Sequence, residues 1–329
     1  MSLGQRLAYG AILVLREPFR RLPPRWAVGV GAGLGRLVAS VHGPRTAIAR
    51  INLEIAFPDW TPAARRRVIR ESFANVGRHL AELALLQGAH RDALLDRVRL
   101  EGWEHLEAAQ ARSQTGGVIL LTAHLGSWEL GGIAAVRAGI PLCVVHREFQ
   151  NPFLEGMVRR WRSESGTQVE ALGEAARGVL RALRQGKAVG MLFDQDAPRQ
   201  EALFVPFFSQ LAATRSAPAR LAVGTGTPVV PVAFLRKPDG LSHEVRAGPP
   251  LDLEMADPGD PETLERNVTR MNRALEDIIR ANPEQWSWAH RRWRTRPEGD
   301  TRRVYPSRHR LRGLLRRRRE RALTKNLDS

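Results

Sequence analysis

Strand-like and helix-like segments alternate along the chain from residue 116 to residue 281. Apolar runs typical of buried strands predict strands at 116–123, 141–147, 187–196, 204–208 and 227–236, and a further strand is predicted at 242–248. Amphipathic stretches predict helices at 128–138, 152–165, 174–185, 214–224 and 261–281. This alternation gives an α/β fold, a mainly parallel central sheet flanked by helices. Ligands of such sheets gather at the carboxyl ends of the strands, so functional side chains are expected there.

Residues 44–100 are predicted to be helical. The clearest helix, 61–86, begins with Thr61 as a capping residue and Pro62 in the first turn.

The segment 26–42 is apolar except for Arg36 and carries alternate glycines from position 29 to position 35. Gly29/Gly33 and Gly31/Gly35 have the spacing that close helix packing in lipid uses. At 17 residues it is shorter than the roughly 20 that a spanning helix needs. We favour membrane insertion or shallow interfacial docking, and a buried helix hairpin of a soluble protein stays open.

Positive charge is concentrated at the end of the chain. The formal net charge is +17, and residues 291–329 hold 15 Lys/Arg and 4 Asp/Glu, so they supply +11 of it. Such a segment favours polyanionic partners: an anionic membrane surface, an acidic carrier protein or nucleic acid. The single cysteine, Cys143, excludes an intrachain disulfide framework and cysteine-rich zinc sites.

A histidine follows the first predicted strand of the sheet, at its carboxyl end. His124 is followed by Gly126, which permits a tight turn, and by Glu129 in the next predicted helix. A carboxylate on one imidazole nitrogen raises the basicity of the ring and leaves the other nitrogen free to accept a proton. No H-E-x-x-H or G-x-S-x-G motif is present, so zincin and serine hydrolase chemistry are disfavoured. A general base and a hydrogen-bonded turn histidine both remain possible at this point.

Five sequence blocks, in order along the chain, resemble one known family. His124 and Glu129 also match the H-x4-D/E motif of membrane glycerolipid acyltransferases. Over residues 45–297 the chain resembles the bacterial lipid A biosynthesis acyltransferases of the lauroyl/myristoyl transferase type. The blocks are Asn52–Leu53 with Ala56–Phe57–Pro58, and the segments 120–132, 144–166, 193–234 and 283–297.

The resemblance implies both a function and a division of the chain. Residues 1–44 would be an N-terminal membrane-associating helical region, 45–297 the acyltransferase α/β domain, and 298–329 a basic C-terminal tail. The implied enzyme is a membrane-associated O-acyltransferase at the cytoplasmic face of the cell inner membrane. It would move a fatty acyl chain from an acyl-acyl carrier protein or acyl-CoA donor to a hydroxyl of a glycolipid acceptor, a lipid A precursor. No cofactor and no metal are expected.

Two alternatives to that function stay open. The acceptor could be another bacterial lipid, such as a phosphatidylinositol mannoside or an aminolipid. The chain could instead be a non-catalytic protein that binds anionic lipid or nucleic acid.

The resemblance also suggests roles for single residues. His124 would be the general base that deprotonates the acceptor hydroxyl, and Glu129 would orient it. Arg147 would bind the oxyanion of the tetrahedral intermediate or a phosphate of the acceptor.

Three more polar residues are candidates for substrate contacts. Asp194 and Asp196 lie at the carboxyl end of the predicted strand 187–196 and would bind sugar hydroxyls or stabilise the turn, a network role being favoured over a metal site. Arg215 would meet a phosphate or be an ordinary solvated residue.

The chain departs from the family pattern at Arg36, which interrupts the N-terminal apolar segment, and at Ser209, where glycine is expected. The basic tail also extends beyond the common core of the family.

Aromatic residues offer two further expectations. Phe204, Phe207 and Phe208 would line an acyl channel or, more simply, pack in the core. Trp286, Trp288 and Trp293 alternate with basic residues, which predicts a membrane interface or an amphipathic surface helix. The basic segment 310–325 is predicted to dock on anionic lipid.

Overall fold

The computed structural model describes residues 3–41, 43–146, 148–171 and 175–306. Within these ranges the helices are α1 (Leu3–Arg21), α2 (Pro24–Ser40), α3 (Pro44–Ala56), α4 (Pro62–Leu85), α5 (Arg91–Leu95), α6 (Trp103–Arg112), α7 (Trp128–Arg137), α8 (Pro152–Glu164), α9 (Ala175–Arg184), α10 (Ala217–Thr225) and α11 (Pro261–Ala281). The strands are β1 (Val98–Glu101), β2 (Val118–Thr122), β3 (Leu142–His146), β4 (Gln168–Ala171), β5 (Ala188–Leu192), β6 (Ala202–Phe207), β7 (Gln210–Arg215), β8 (Val229–Arg236) and β9 (His243–Ala247).

Seven of these strands form the central sheet, in the order β1–β9–β8–β2–β5–β3–β4. Every neighbouring pair in it is parallel except β8 and β9, which are antiparallel. The predicted α/β class with a mainly parallel sheet and flanking helices is therefore confirmed. β2 lies between β8 and β5, so the carboxyl ends of β2 and β5 are neighbours at one edge of the sheet.

The prediction was wrong around residue 214. Strand β7 continues through Arg215 and forms an antiparallel hairpin with β6, separate from the main sheet, and the helix begins only at Ala217. Strands β1 and β4 were not predicted. Each has four residues of mixed polarity and pairs at an edge of the sheet, so neither contains the apolar run that identified the inner strands.

Two predicted helix starts are confirmed by their caps. The Thr61 hydroxyl accepts a hydrogen bond from the backbone N–H of Ala64 at 3.2 Å, at the start of α4. The Asp260 carboxylate accepts one from Thr263 N–H at 2.8 Å, at the start of α11. Each cap satisfies an amide that the helix itself leaves unpaired.

The glycines of α2 bring that helix against α4. A Cβ on Gly31 would overlap the carbonyl oxygen of Gly77, and a Cβ on Gly35 would overlap that of Phe73. The Gly31/Gly35 pair is thus used for packing inside the protein, whereas a Cβ on Gly29 or Gly33 would meet open space. In the parts of the chain that the structure covers, no helix has both the length and the apolar character needed to cross a membrane.

The tryptophans of the segment 286–293 lie in the core. Trp286, Trp288 and Trp293 are at most 1% exposed, so both the membrane-interface and the surface-helix predictions were wrong. The predictions assumed that basic residues such as Arg292 would keep this segment at the surface. The guanidinium of Arg292 is instead buried, and Ala213 O and the Thr214 hydroxyl accept its hydrogen bonds at 2.6 Å. A basic residue within a tryptophan segment therefore did not mean an exposed surface.

Candidate active site

The turn that follows β2 is held by a second segment of the chain. Gly126 adopts φ +62°, and a Cβ there would overlap the carbonyl oxygen of Phe234, so glycine is required for both conformation and space. Gly126 N–H donates to Gln285 O at 3.0 Å, and Ser287 N–H donates to His124 O at 3.0 Å. The backbone of residues 124–126 is thereby fixed on both sides.

His124 at this turn is held by the buried carboxylate of Asp194, just beyond the end of β5. The distance from His124 Nδ1 to Asp194 Oδ1 is 2.8 Å. Asp194 Oδ2 accepts the backbone N–H of His124 at 2.9 Å and the indole N–H of Trp286 at 2.7 Å. Three donors thus fix this carboxylate, whose side chain is 3% exposed.

These contacts select one tautomer of the imidazole. Because a carboxylate only accepts hydrogen bonds, Nδ1 of His124 carries the proton and Nε2 carries the lone pair. The amide nitrogen of Gln195 lies 3.2 Å from Nε2 and can donate to it. The His124 side chain is 22% exposed and Gln195 is exposed, so the imidazole lies near the protein surface.

Electrostatics favour a proton on this imidazole. Burial opposes charge on His124, but the charge and hydrogen bond of Asp194, with a smaller contribution from Glu129, raise the His124 pKa above its ordinary value. Burial likewise opposes ionisation of Asp194, and the contacts to His124 and Trp286 outweigh it and hold the Asp194 pKa well below its usual range. The pair is suited to accept a proton at Nε2 and to stabilise the imidazolium that results.

Glu129, in the first turn of α7, has a different partner from the expected one. Its carboxylate forms a two-bond ion pair with Arg162 of α8, with Arg162 Nε donating to Oε2 at 3.2 Å and Nη2 donating to Oε1. The orienting contact to His124 that the sequence suggested for Glu129 is made by Asp194 instead. Glu129 acts on His124 only through its charge.

A narrow apolar cavity begins beside this ion pair. Trp128, Glu129 and Arg162 line it near His124, whose ring centroid is 5.1 Å from that of Trp128. From there the cavity follows α7 and the sheet as far as Trp103 and Leu106 of α6. The lining along its length is mostly apolar and includes Leu120, Gly132, Val144, Gly190, Val232 and Phe234. Walls of this kind suit hydrocarbon, and the volume of the cavity is about 100 Å³.

Comparison with known proteins gives the family. The family model for bacterial lipid A biosynthesis acyltransferases matches residues 7–295. The chain belongs to this family. The lipid A biosynthesis lauroyltransferase of Escherichia coli (strain K12) is 31% identical over 273 residues, which cover 82% of this chain and 86% of that protein. The palmitoleoyltransferase of the same strain is 29% identical over 83% of this chain and 86% of its own length, and its myristoyltransferase is 27% identical over 84% of each.

Asp196 of this acyltransferase belongs to a structural network. Its oxygens accept hydrogen bonds from Thr295 N–H and the Thr295 hydroxyl at 2.9 Å and from Arg294 Nε at 3.1 Å. The side chain is 1% exposed, so in this structure it stabilises the loop after residue 293 and offers no surface to a sugar hydroxyl. Asp194, also expected at the substrate, is likewise committed to protein groups.

Of the two arginines predicted to meet anionic groups, one lies within the described residues. Arg215, the last residue of β7, forms an ion pair with Glu201. Arg147 lies outside the described residues. Phe207 and Phe208 are buried in the core, and neither they nor Phe204 line the apolar cavity.

Reasoning from the sequence missed Arg162 and Trp286 as members of the candidate site. Both lie inside blocks that resemble the family, so their position in those blocks was the available signal. It could not show which carboxylate each one meets. The distance along the chain favoured Glu129 as the partner of His124, because the adjacency of β2 and β5 was not known.

Proposed function

We propose that this acyltransferase moves a fatty acyl chain from an acyl thioester to a hydroxyl of a lipid A precursor, with His124 as general base. The observation that carries the proposal is the 2.8 Å contact between His124 Nδ1 and Asp194. The ring of Trp128, 5.1 Å from that of His124, also lines the apolar cavity. The family match supports both the reaction and the class of acceptor.

The chemistry follows from the tautomer. Nε2 of His124 removes the proton of the acceptor hydroxyl while its oxygen attacks the thioester carbonyl. The new C–O bond forms, the C–S bond breaks, and the proton passes from Nε2 to the departing thiolate. A base placed in this way contributes roughly 10²–10⁴-fold to the rate. A covalent acyl-enzyme is not needed because the thioester is already activated.

The oxyanion formed in this step requires hydrogen-bond donors or a cation. Arg162 is suited to this role, since its Nη1 is buried without a partner within the described residues while Nε and Nη2 hold Glu129. Glu129 would then position Arg162 and add negative charge near His124. Arg147 and Arg215 remain our predicted contacts for phosphates of the acceptor.

The acyl chain would lie in the apolar cavity between α7 and the sheet, and the cavity would widen around it, because its volume without a ligand is about 100 Å³. With its thioester carbonyl near Trp128 and its methyl end towards Trp103, it would be enclosed by side chains that make no hydrogen bonds to it. Each methylene moved from water into such a site contributes about 0.8 kcal/mol. The donor, carried by an acyl carrier protein or by coenzyme A, would present its chain from the side of His124.

A membrane surface would be met by the N-terminal region, 1–44. Along α2, the side chains of Trp26, Val30, Leu34, Leu37 and Val41 recur at helical spacing and are 44–70% exposed. Leu7, Val14 and Leu15 of α1 are exposed to a similar degree. Apolar helix faces of this kind suit shallow docking at a bilayer, here the cytoplasmic face of the inner membrane. The predicted lipid-docking segment 310–325 lies outside the described residues.

The proposal is tested with purified protein, a long-chain acyl thioester and a phosphorylated glycolipid acceptor. Mass spectrometry should show the acceptor gaining one acyl chain. His124→Ala should form product at least about 10²-fold more slowly than the wild-type protein, whereas His90→Ala, a histidine ahead of α5, should match it. Failure of the wild-type protein with both carrier and coenzyme A donors, or equal product from His124→Ala, would refute the proposal.

A further inference from the structure

A second cavity lies among the N-terminal helices, away from the acyl cavity. Its volume is about 970 Å³. Helices α2, α3 and α4 form its walls, and we call it the α2–α4 groove. The residues that matter for its chemistry are Leu37 of α2, Ala47 and Ile51 of α3, and Arg66, Ile69 and Arg70 of α4.

The groove is lined by apolar side chains, which we call its floor, and by arginines, which we call its rim. Leu37, Ala47, Ile51 and Ile69 provide hydrocarbon, and five arginines but only one carboxylate, Glu54, line the whole groove. Such a surface suits an anionic head joined to a hydrocarbon chain. A simple anion would leave the apolar floor without a contact, and a neutral lipid would leave the arginines of the rim without a counter-charge.

The arginines of the rim differ in how far they are already paired. Arg36 forms a two-bond ion pair with Glu71 at 2.9–3.0 Å, and Arg65 donates to Phe57 O at 3.0 Å. Arg66 and Arg70 are exposed, and within the described ranges neither side chain forms a hydrogen bond or an ion pair. These two guanidinium groups are available to a ligand, and the forked geometry of a guanidinium matches two phosphate oxygens.

The location of the groove indicates where its occupant comes from. Leu37 both lines the groove and belongs to the exposed apolar stripe of α2, with Val41 one turn further on. The groove therefore opens at the edge of the face that we propose to lie on the membrane. A lipid could enter it sideways from the bilayer without leaving an apolar environment.

The chain's own C-terminal segment is a poor occupant. Pro306 is at the rim of the groove, and residues 307–329 carry nine Lys/Arg and two Asp/Glu. This segment has the same sign of charge as the rim, so the two repel each other. An acidic protein surface would match the rim but would leave the apolar floor unfilled.

We infer that the α2–α4 groove binds one anionic phospholipid of the bilayer, with its phosphate on Arg66 and Arg70 and an acyl chain on the floor. The inference rests on the membrane docking proposed above and not on the acyl-transfer chemistry. A bound lipid of this kind would fix α2 and α3 relative to the bilayer surface.

Binding is measured by calorimetry with full-length protein and dihexanoyl phosphatidylglycerol below its micelle concentration. Dihexanoyl phosphatidylcholine and inorganic phosphate are the comparison ligands. We expect the anionic lipid to bind at least about tenfold more tightly than either, because a charge-assisted contact to phosphate adds to apolar burial. Neither acyl donor nor acceptor is present, so the result is independent of whether the protein transfers acyl chains.

Three variants separate this site from general charge attraction. R66Q/R70Q should weaken binding of the anionic lipid at least about tenfold. Ala47→Trp, which fills the groove without changing charge, should weaken it as well. R181Q/R184Q, which removes two exposed arginines of α9, should bind like the wild-type protein, and thermal midpoints should confirm that all three fold.

The inference is overturned by any of four results. The first is equal affinity for the anionic and zwitterionic lipids. The second is inorganic phosphate binding as tightly as the lipid. The third is unchanged binding in R66Q/R70Q, or an equal loss in R181Q/R184Q. The fourth is binding of an acidic carrier protein that is lost in R66Q/R70Q, when the lipid itself does not bind to Arg66 and Arg70.

Discussion

Replacing Asp194 with Asn changes one atom of the site and should reverse the tautomer of His124. Asp194 Oδ2 accepts two N–H donors, from the His124 backbone at 2.9 Å and from Trp286 at 2.7 Å. An asparagine must therefore point its oxygen at these two donors, and its NH₂ group then faces His124 Nδ1. Nδ1 becomes an acceptor, the imidazole proton moves to Nε2, and Nε2 can no longer remove a proton.

Asp194→Asn should lose the contribution of the general base to the rate of acyl transfer. Removing it should lower the rate of acyl transfer roughly 10²–10⁴-fold, which corresponds to about 3–5 kcal/mol in the activation barrier. The pH profile should change too. Below the raised pKa of His124 the imidazolium cannot accept a proton, so the wild-type rate falls at acid pH. Without the Asp194 charge that pKa falls, and the acid limb of the residual activity should move to lower pH.

The assay for Asp194→Asn is the single-turnover rate of acyl transfer between pH 5 and 9 with saturating donor. Circular dichroism and thermal melting should show that the variant is folded. Trp286→Phe is the matched control, because it removes one donor to Asp194 Oδ2 but leaves the carboxylate on His124 Nδ1, so the tautomer and the acid limb should be kept. A rate for Asp194→Asn within twofold of the wild type, with an unmoved acid limb, would refute the tautomer argument.

Three further predictions concern other parts of the molecule. Gly190→Val should shift donor preference towards shorter chains by roughly 10–200-fold in kcat/KM, because Gly190 lines the acyl cavity and a Cβ there meets only ordinary contacts; a loss independent of chain length would contradict it. Gly31→Val should destabilise the fold by about 1–3 kcal/mol through overlap with Gly77, whereas Gly29→Val faces open space, and equal thermal shifts for the two would contradict this. Burial raises the pKa of Cys143 to about 12, so its thiol should resist labelling at pH 8 until the protein is denatured, and rapid labelling of the native protein would be the contrary result.

The sequence was sufficient for features set by neighbouring residues. The Thr61 cap, the Pro62 start of α4 and the glycine at the turn after β2 all depend on local backbone chemistry. The inner strands were identified because each contains a continuous apolar run. The α/β class follows from the order of these elements alone.

What the sequence could not provide was the order of strands in the sheet. His124 and Asp194 were each placed correctly at the carboxyl end of a strand, but only the adjacency of β2 and β5 makes them partners. Without that order, the nearest carboxylate along the chain, Glu129, was the reasonable choice.

The burial of charged groups was equally hidden. The sequence suggested that Trp286 and Arg292 lie at the surface. A guanidinium can be buried only where acceptors meet it, and one acceptor of Arg292, the carbonyl of Ala213, lies 79 residues away in the chain. Long-range hydrogen bonds of this kind decide burial but leave no local pattern.

The most direct test of the catalytic role of His124 is the first-turnover rate of acyl transfer by His124→Ala, followed as a function of pH. We expect a rate at least about 10²-fold below that of the wild-type protein, without its acid limb, from a protein that melts as the wild type does. A folded His124→Ala protein that keeps the wild-type rate and pH profile would contradict general-base catalysis by this residue.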